Sequence, residues 1–316
     1  MKARRCSATF SSRGLGYPKS IYAHYGDAVS EGLVSVIPTH RPPRELVTLV
    51  EHLRHHGSVI VSDDASPCTF DPVLAQVADL ENVTVVRHEC NAGIARGLNE
   101  GLLVALESGS SWLLTVDQDT VLPEDYVTHM LAWLNRHHDH MSRMGVVGAG
   151  EVIDGDARIR YPSTIVEGVR TTAEVIQTGS LWQVEALSSI GGFDESFGID
   201  AVDAAACVRL RSVGFLVAVA DGLALEHAIG SSRRIRAFGR DIMVTGHSPE
   251  RRTSMLRNRL RLFPEEFRQS PRHAFRSIRR VIVNQSAGLI LESGRKDKAI
   301  GTLRGLRGSS SDTLEP

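Results

Sequence analysis

Trp112-Leu113-Leu114-Thr115-Val116-Asp117-Gln118-Asp119 is the stretch on which the fold turns. Its first five residues are apolar or β-branched, a run whose length and content read as a buried strand. Two carboxylates one residue apart therefore fall at the strand's carboxyl end, where open α/β sheets gather their ligands. Paired hard oxygen donors there suit a divalent cation that keeps positions open for a substrate's phosphates. On the tripeptide alone a plain strand-to-helix turn fits as well, with Asp119 capping a helix that begins near Pro123.

Working outward, Leu33-Val34-Ser35-Val36-Ile37 reads as a strand halted by Pro38, followed by a helical stretch from about Arg44 to His56. Ser58-Val59-Ile60-Val61 and Val83-Thr84-Val85-Val86 are two further strands, with helical patterns over Ile94 to Leu106 and Asp125 to Asn135. Alternation of this kind, with short loops, argues for an α/β fold with a mostly parallel central sheet and helices on both faces. Asp63-Asp64, Asn91-Ala92-Gly93 and Asp117-Gln118-Asp119 each follow a strand or its exit loop, so three polar groups gather on one rim.

Each group has a chemical use and a plainer one. Asp63 or Asp64 can accept hydrogen bonds from a base or ribose, or form the turn around Ser66-Pro67. The small residues of Asn91-Ala92-Gly93-Ile94-Ala95-Arg96-Gly97 open a helix whose amides can face a phosphate, or simply pack closely there. No Walker lysine pattern and no GxGxxG follows a strand, which removes the main support for phosphate-loop ATPases and dinucleotide dehydrogenases. In the second half, Asp200-Ala201-Val202-Asp203 opens a helix. Asp200 suits its N-cap and Asp203 its first turn, while a general base is the functional use of one of them.

The 316 residues carry 42% hydrophobic and 23% charged side chains with a net charge of -1, an ordinary globular balance without a nucleic-acid signature. Cys6, Cys68, Cys90 and Cys207 lack metal-type spacing and fit reduced thiols of a cytosolic protein. No uninterrupted apolar run reaches membrane-spanning length. Residues 1–30 read as a polar leader without the apolar core of a secretory signal.

Taken in order, these pieces resemble the inverting family-2 glycosyltransferases of the GT-A fold, in their bacterial rhamnosyltransferase-like branch. The resemblance runs from about residue 33 to 265. It rests on Val34-Ser35-Val36-Ile37-Pro38-Thr39, Val61-Ser62-Asp63-Asp64-Ala65-Ser66, Asn91-Ala92-Gly93-Ile94-Ala95, Asp117-Gln118-Asp119-Thr120, Gly191-Gly192-Phe193-Asp194-Glu195, Ile199-Asp200-Ala201-Val202-Asp203 and Glu226-His227-Ala228-Ile229-Gly230. It implies a catalytic domain over 31–250, with a nucleotide-binding half at about 31–122 and an acceptor half at about 123–250. A basic helical extension with a polar tail follows over 251–316.

By this resemblance Asp203 is the catalytic base, and Asp119 and His227 hold Mg2+ or Mn2+. Pro38, Thr39, Asp63, Asp64, Asn91, Gly93, Ala95, Arg96, Asp117 and Gln118 line the nucleotide-sugar. Arg251, Arg252 and Arg257-Asn258 resemble the segment that closes over the diphosphate or acceptor. The implied reaction moves a sugar from a nucleotide-sugar donor to a saccharide or lipid-linked saccharide acceptor. Branch resemblance points to dTDP-L-rhamnose, against UDP-galactofuranose, UDP-N-acetylglucosamine and UDP-glucose. The chain departs from the family at Ala204-Ala205-Ala206, where another acid and often a bulky aromatic are usual. That departure leaves the acceptor side short of a carboxylate and a ring, and favours, as the alternative, a non-catalytic nucleotide-sugar-binding protein. A nucleotidyltransferase is the third reading, against which no triphosphate loop follows the first strand.

Residues 251 to 280 hold ten Arg and two acids, Glu265 and Glu266, with apolar residues recurring among them. Such a segment fits either a helix packed on the domain with a solvated basic face or, over 251–282, peripheral contact with an anionic membrane from the cytoplasmic side. His137-His138-Asp139-His140 reads as an exposed helix end rather than a metal site.

Overall fold

The structure is a computed structural model that describes residues 8–10, 32–155, 157–227, 233–237, 240–244, 247–291 and 295–307. Strands β2 (Leu33–Thr39), β3 (Gly57–Asp63), β4 (Val83–His88) and β5 (Trp112–Thr115) lie in the order β4-β3-β2-β5, all parallel. They are joined by helices α1 (Leu46–Leu53), α2 (Asp71–Ala78) and α3 (Ile94–Ser108). Both faces of these strands are buried, which is why they read as continuous apolar runs. Along β2 the two-residue period sends Val34 and Val36 into one core and Leu33 and Ile37 into the other. The β2 strand does not stop at Pro38 but pairs with β3 as far as Thr39. Pro38 lies past the last residue paired with β5, so its missing N–H breaks no bond on that side.

Gly101 shows how closely α3 lies on the sheet. A Cβ added there would meet Val36 Cβ at 2.4 Å, so only hydrogen fits between helix and strand. The helix axis is thereby drawn onto β2, and its amino terminus is held at the rim where β2, β3 and β5 end.

Past α4 (Tyr126–Arg136) the sheet changes character. Strands β6 (Met144–Asp154), β7 (Ala157–Arg160), β8 (Ser163–Val166), β9 (Val169–Thr172), β10 (Ser180–Gln183) and β11 (Leu216–Glu226) extend it in the order β5-β10-β6-β11-β9-β8, with β7 on β6. The β10 strand runs antiparallel to both β5 and β6, while β6 and β11 are parallel. Helices α5 (Val184–Ser189) and α6 (Val202–Ser212) cover this half together with α3. A separate two-stranded ribbon, β12 (Arg233–Ala237) and β13 (Arg240–Val244), precedes three C-terminal helices, α7 (Pro249–Gln269), α8 (Pro271–Leu291) and α9 (Arg295–Arg307).

Three expectations need correction here. Within the supposed leader, β1 (Ala8–Phe10) pairs antiparallel with β4 and closes that edge of the sheet. Asp200 is not the N-cap of α6. That place is taken by Ala201 in a left-handed conformation, φ 64°, without a side-chain cap. Cys68 and Cys207 are free thiols, but Cys90 is disulfide-bonded. The His137–His140 stretch lies at the exposed end of α4 and the 3-10 turn after it, as its sequence suggests.

Candidate active site

The acidic motif is fixed from several directions. The Val116 amide donates to Val36 O (3.0 Å), which carries the β2–β5 pairing to the rim. The Asp117 amide donates to Thr178 Oγ (3.0 Å), and that hydroxyl lies 2.6 Å from Thr120 Oγ. Gln177 donates its side-chain amide to Asp117 Oδ1. Gln118, expected at the donor, instead donates to His40 O (3.0 Å) and accepts from the His40 amide (3.1 Å). It is a strut between the β2 exit and the acidic motif, with both ends engaged by backbone.

His227 reaches the motif from the far end of β11. The Val121–Glu226 bridge and the bond from the His227 amide to Ile153 O (3.0 Å) set its backbone beside Asp117 and Asp119. His227 Nε2 lies 3.5 Å from Asp117 Oδ2, and Nδ1 lies 3.8 Å from Asp119 Oδ1. These separations are too long for hydrogen bonds. The three residues nevertheless offer donor atoms all within 4.8 Å of one another. Two carboxylate oxygens and an imidazole fit a divalent cation such as Mn2+ or Mg2+ that retains open positions. Asp119 is exposed and Asp117 largely buried. Burial raises the pKa of Asp117 and Asp119 adds to the rise, while His227 opposes both.

Several residues expected to line the donor are engaged within the fold. Asp63 has no exposed side-chain surface. Its oxygens accept from Ser66 Oγ, the Ser66 amide (3.3 Å), Thr39 Oγ (3.4 Å) and Arg87 Nε (3.2 Å). It holds the β3 exit turn, and the buried Thr39 is engaged with it. Asp64 accepts from the amides of Ala92 (2.6 Å) and Gly93 (2.9 Å), so it shapes the Asn91–Gly93 loop. Ala95 is a core residue of α3. Pro38, Asn91 and Arg96 remain half-buried at the rim, with Arg96 Nε 3.9 Å from Glu100. Gly93 needs its φ of 88°, and a Cβ there would meet Gly198 O at 2.9 Å, so the donor loop abuts the turn before α6.

Asp203 stands in the first turn of α6 and accepts from the Ala204 amide (2.7 Å). Burial and then repulsion from Glu174 push its pKa up to about 6, while Arg259 pulls the other way. Glu174, in the loop from β9 to β10, has the opposite fate. Burial would raise it, but Arg259 Nη1 at 3.1 Å and His273 Nε2 at 3.6 Å hold it well below the usual carboxylate range. The two neighbouring carboxylates are thereby driven apart, Asp203 toward its neutral form by burial and Glu174 held ionised by its cations. Ala204, Ala205 and Ala206 are buried in the core beneath α6, so the departure there is a packing choice. A second acid does stand near Asp203, supplied by Glu174 from a distant segment.

Glu174, Glu266 and His273 also form a compact cluster. Arg259 Nη1 lies 2.6 Å from Glu266 Oε1 as well as against Glu174, so a guanidinium occupies the place a cation would take. This cluster is a charge-paired core network, not a metal site.

The basic stretch divides between the two uses its sequence allowed. Arg252, expected at the diphosphate, is buried between α7 and α8, donating to Asn284 O, Gln285 O and Gln285 Oε1 (3.3–3.4 Å). Arg257 is half-buried with Nε 3.5 Å from Asn258 Oδ1. Arg251 is the residue of this group that reaches the site, 3.5 Å from Asp200 Oδ1 and close enough to influence Asp117. Gln177, Thr178, Glu174 and Arg259 were assigned no role from sequence, and Asn258 was grouped only with the arginines of the closing segment. The signal for Arg259 was its proximity to Arg257-Asn258, and no quoted motif reached residues 174 to 178.

Residues 35–183 match the family described as glycosyl transferase family 2. The dTDP-rhamnosyl transferase RfbF of Shigella flexneri is 26% identical over 304 residues, covering 89% of this chain and 97% of its own. Among solved structures, Staphylococcus aureus TarS 1–349 in complex with UDP-GlcNAc aligns with a TM-score of 0.57 at 14% identity, covering 87% of this chain and 79% of its own. The mannosyltransferase PcManGT of Pyrobaculum calidifontis, in complex with GDP-Man and Mn2+, aligns with a TM-score of 0.52 at 14% identity, over 88% and 81%.

Proposed function

The chain carries a glycosyl transferase family 2 domain and is a glycosyltransferase of the GT-A fold, and on that premise we propose a metal-dependent inverting transfer with Asp203 as general base. The donor we propose is dTDP-L-rhamnose, since the similarity to a dTDP-rhamnosyl transferase spans nearly the whole of both chains. The acceptor is a hydroxyl of a saccharide or lipid-linked saccharide in bacterial cell-surface polysaccharide synthesis. The observation that carries the reading is the pairing of two constellations on one rim. The Asp117–Asp119–His227 donor atoms lie within 4.8 Å of one another, and a carboxylate of pKa about 6 stands in the first turn of α6.

Asp119 and His227, with Asp117 beside them, would hold Mg2+ or Mn2+, which when bound neutralises the charge developing on a departing nucleoside diphosphate. The protein supplies the rest. Asp64 and Gly93 shape the loop that receives the donor, and Gln118 and Thr178 keep the acidic motif in register with β2 and β10. Asp203 takes the acceptor hydroxyl's proton as its oxygen attacks C1 from the face opposite the leaving group, inverting the anomeric centre. A base with a pKa near 6 is ionised at neutral pH yet basic enough to accept the proton.

No helix among the described residues is long and apolar enough to cross a membrane. The proposed peripheral contact narrows from 251–282 to the outward face of α8. There Arg272, Phe275, Arg276, Arg279, Ile282 and Val283 are exposed, with no Asp or Glu between residues 267 and 291. A basic, apolar-studded face suits an anionic lipid surface from which a lipid-linked acceptor could be presented.

The test is nucleoside diphosphate release from a panel of nucleotide sugars with Mn2+ or Mg2+, alongside Asp119→Ala and Asp203→Asn. Metal-dependent release from dTDP-L-rhamnose, lost in both variants, is expected. Release from a different donor alone would overturn the rhamnose assignment. Binding of a donor without release, with acceptors supplied, would overturn catalysis.

A further inference from the structure

Ala201 is a non-glycine residue at φ 64°, two positions before Asp203, in a conformation that L residues with a Cβ avoid. No side chain caps the helix it opens, so something outside α6 must hold this turn. Asn258 of α7 does so: its side-chain amide donates to Phe197 O (2.7 Å) and to Asp200 O (2.8 Å), and the residue is 1% exposed. Those two carbonyls bracket Gly198, Ile199 and the approach to Ala201, and Gly198 itself abuts Gly93 of the donor loop. Arg251, two turns earlier on the same face of α7, adds its contact to the Asp200 carboxylate.

We propose that Asn258 is a positioning residue for the transfer, its amide clamping the Phe197–Asp200 turn so that the left-handed Ala201 delivers Asp203 to the acceptor hydroxyl. The inference rests on Asp203 being the base. It extends the catalytic machinery into a C-terminal helix outside the segment that matches the family. Both Asn258 bonds to the turn are donated, and both acceptors are backbone carbonyls, which offer nothing to a carboxylate. Asn258→Asp therefore keeps shape while replacing the two donated bonds with repulsion.

The experiment measures kcat and donor KM for dTDP-L-rhamnose, or whichever panel donor supports turnover, in wild type, Asn258→Asp, Asn258→Ser, Ala201→Gly and the Asn258→Ser/Ala201→Gly double variant. Expected is a 10- to 100-fold fall in kcat in both Asn258 variants with donor KM within about threefold of wild type. Glycine adopts the left-handed conformation without the Cβ conflict. The double variant should therefore recover several-fold over Asn258→Ser, whereas Ala201→Gly alone changes little. Thermal melting and donor binding by the same preparations report folding, and if Asn258→Asp does not fold, Asn258→Ser carries the comparison. Unchanged kcat in Asn258→Ser, or equal losses in kcat and donor affinity with no recovery by Ala201→Gly, would overturn the proposal. Asp203→Asn separates this from the base assignment. Retained turnover there removes the base, while lost turnover there with normal kcat in Asn258→Ser removes only the clamp.

Discussion

The β4-to-β5 half of the sheet, proposed to receive the donor, and the half past β5, proposed to receive the acceptor, build their rims by different means. At the ends of β3 and β4 the bonds that shape the polar groups come from adjacent strands or nearby loops: Asp63 with Ser66 and Arg87, Asp64 with Ala92 and Gly93. Past β5 the groups come from segments remote in sequence. Glu174 is held by Arg259, 85 residues away, and the turn before Asp203 by Asn258, 58 residues from Asp200. A local rim can be read from motifs, whereas an assembled rim depends on contacts from the C-terminal helices. The halves should therefore fail differently.

The largest effect expected is the separation of donor binding from turnover. Asp203→Asn should lower kcat by about 10²- to 10⁴-fold, the worth of a positioned general base, while donor affinity measured by titration stays near wild type. Asp119→Ala should weaken donor binding in Mn2+ and abolish turnover together. If Asp203→Asn weakened the donor as much as Asp119→Ala, the two halves would not divide the labour.

How legible each half was follows from the same contrast. Strands β2 to β5 announced themselves because burial on both faces leaves unbroken apolar runs, and Asp64, Asp117 and Asp119 followed as strand-end acids. Asp63 and Gln118 misled for a physical reason. A carboxylate or amide at a strand end serves equally as a ligand or as a tie between neighbouring backbones, and only their partners, Arg87 and His40, reveal which. The antiparallel insertion of β10 was not legible, since Ser180–Gln183 is only four residues long and its place depends on pairing with β5 and β6. Asp203 was singled out only through its motif, and the groups that surround it or hold its turn, Glu174, Arg259 and Asn258, lie in contacts that no spacing encodes.

The C-terminal helices sharpen the comparison because their arginines serve both interior and exterior. Arg252 and Arg259 are structural, whereas the outward face of α8 is exposed, basic and without acids, and should contribute to lipid contact. Replacing Arg276 and Arg279 with Gln removes two charges worth about 1 kcal/mol each near an anionic surface, a loss of roughly thirtyfold in partitioning. Co-sedimentation with vesicles of phosphatidylcholine and 30% phosphatidylserine (about that fraction suffices to charge the surface) measures it, with turnover on a soluble acceptor unchanged. Binding unaffected by both substitutions, or absent from wild type, would reduce α8 to a solvated face.

In the donor half, the close seat of α3 on β2 makes stability rather than catalysis the vulnerable property. Gly101→Ala would ordinarily strengthen a helix interior by about 1 kcal/mol. Here its Cβ falls 2.4 Å from Val36 Cβ, and overpacking of that kind costs about 1 to 3 kcal/mol, so the overlap wins and the variant should be destabilised. Denaturant unfolding checks the sign, and a stabilised Gly101→Ala would mean that helix and strand can part without loss.

The smallest effect expected is a displacement of the acid limb of the pH profile, and it tests the acceptor half most finely. Asp203 faces Glu174 and Arg259 from other elements, with Asp117, Tyr161 and Cys207 also near enough to interact with it. With its pKa pushed up to about 6, kcat/KM should fall as pH drops through 6 and level above it. Stability carries the opposite sign. The folded carboxyl holds its proton to higher pH than the unfolded one, so this group makes the fold progressively less stable as pH rises from the model-peptide value near 4 to 6. Glu174→Gln removes the repulsion and leaves Arg259 less neutralised. Both changes favour the Asp203 carboxylate, so the acid limb should move down by up to about one unit. Arg259→Met should move it up. Because Glu174 and Arg259 belong to the network with Glu266 and His273 rather than to the acidic motif, neither substitution should alter donor affinity at neutral pH. A limb that stays at 6 in both variants would detach Glu174 and Arg259 from the base, and leave burial alone to set its pKa.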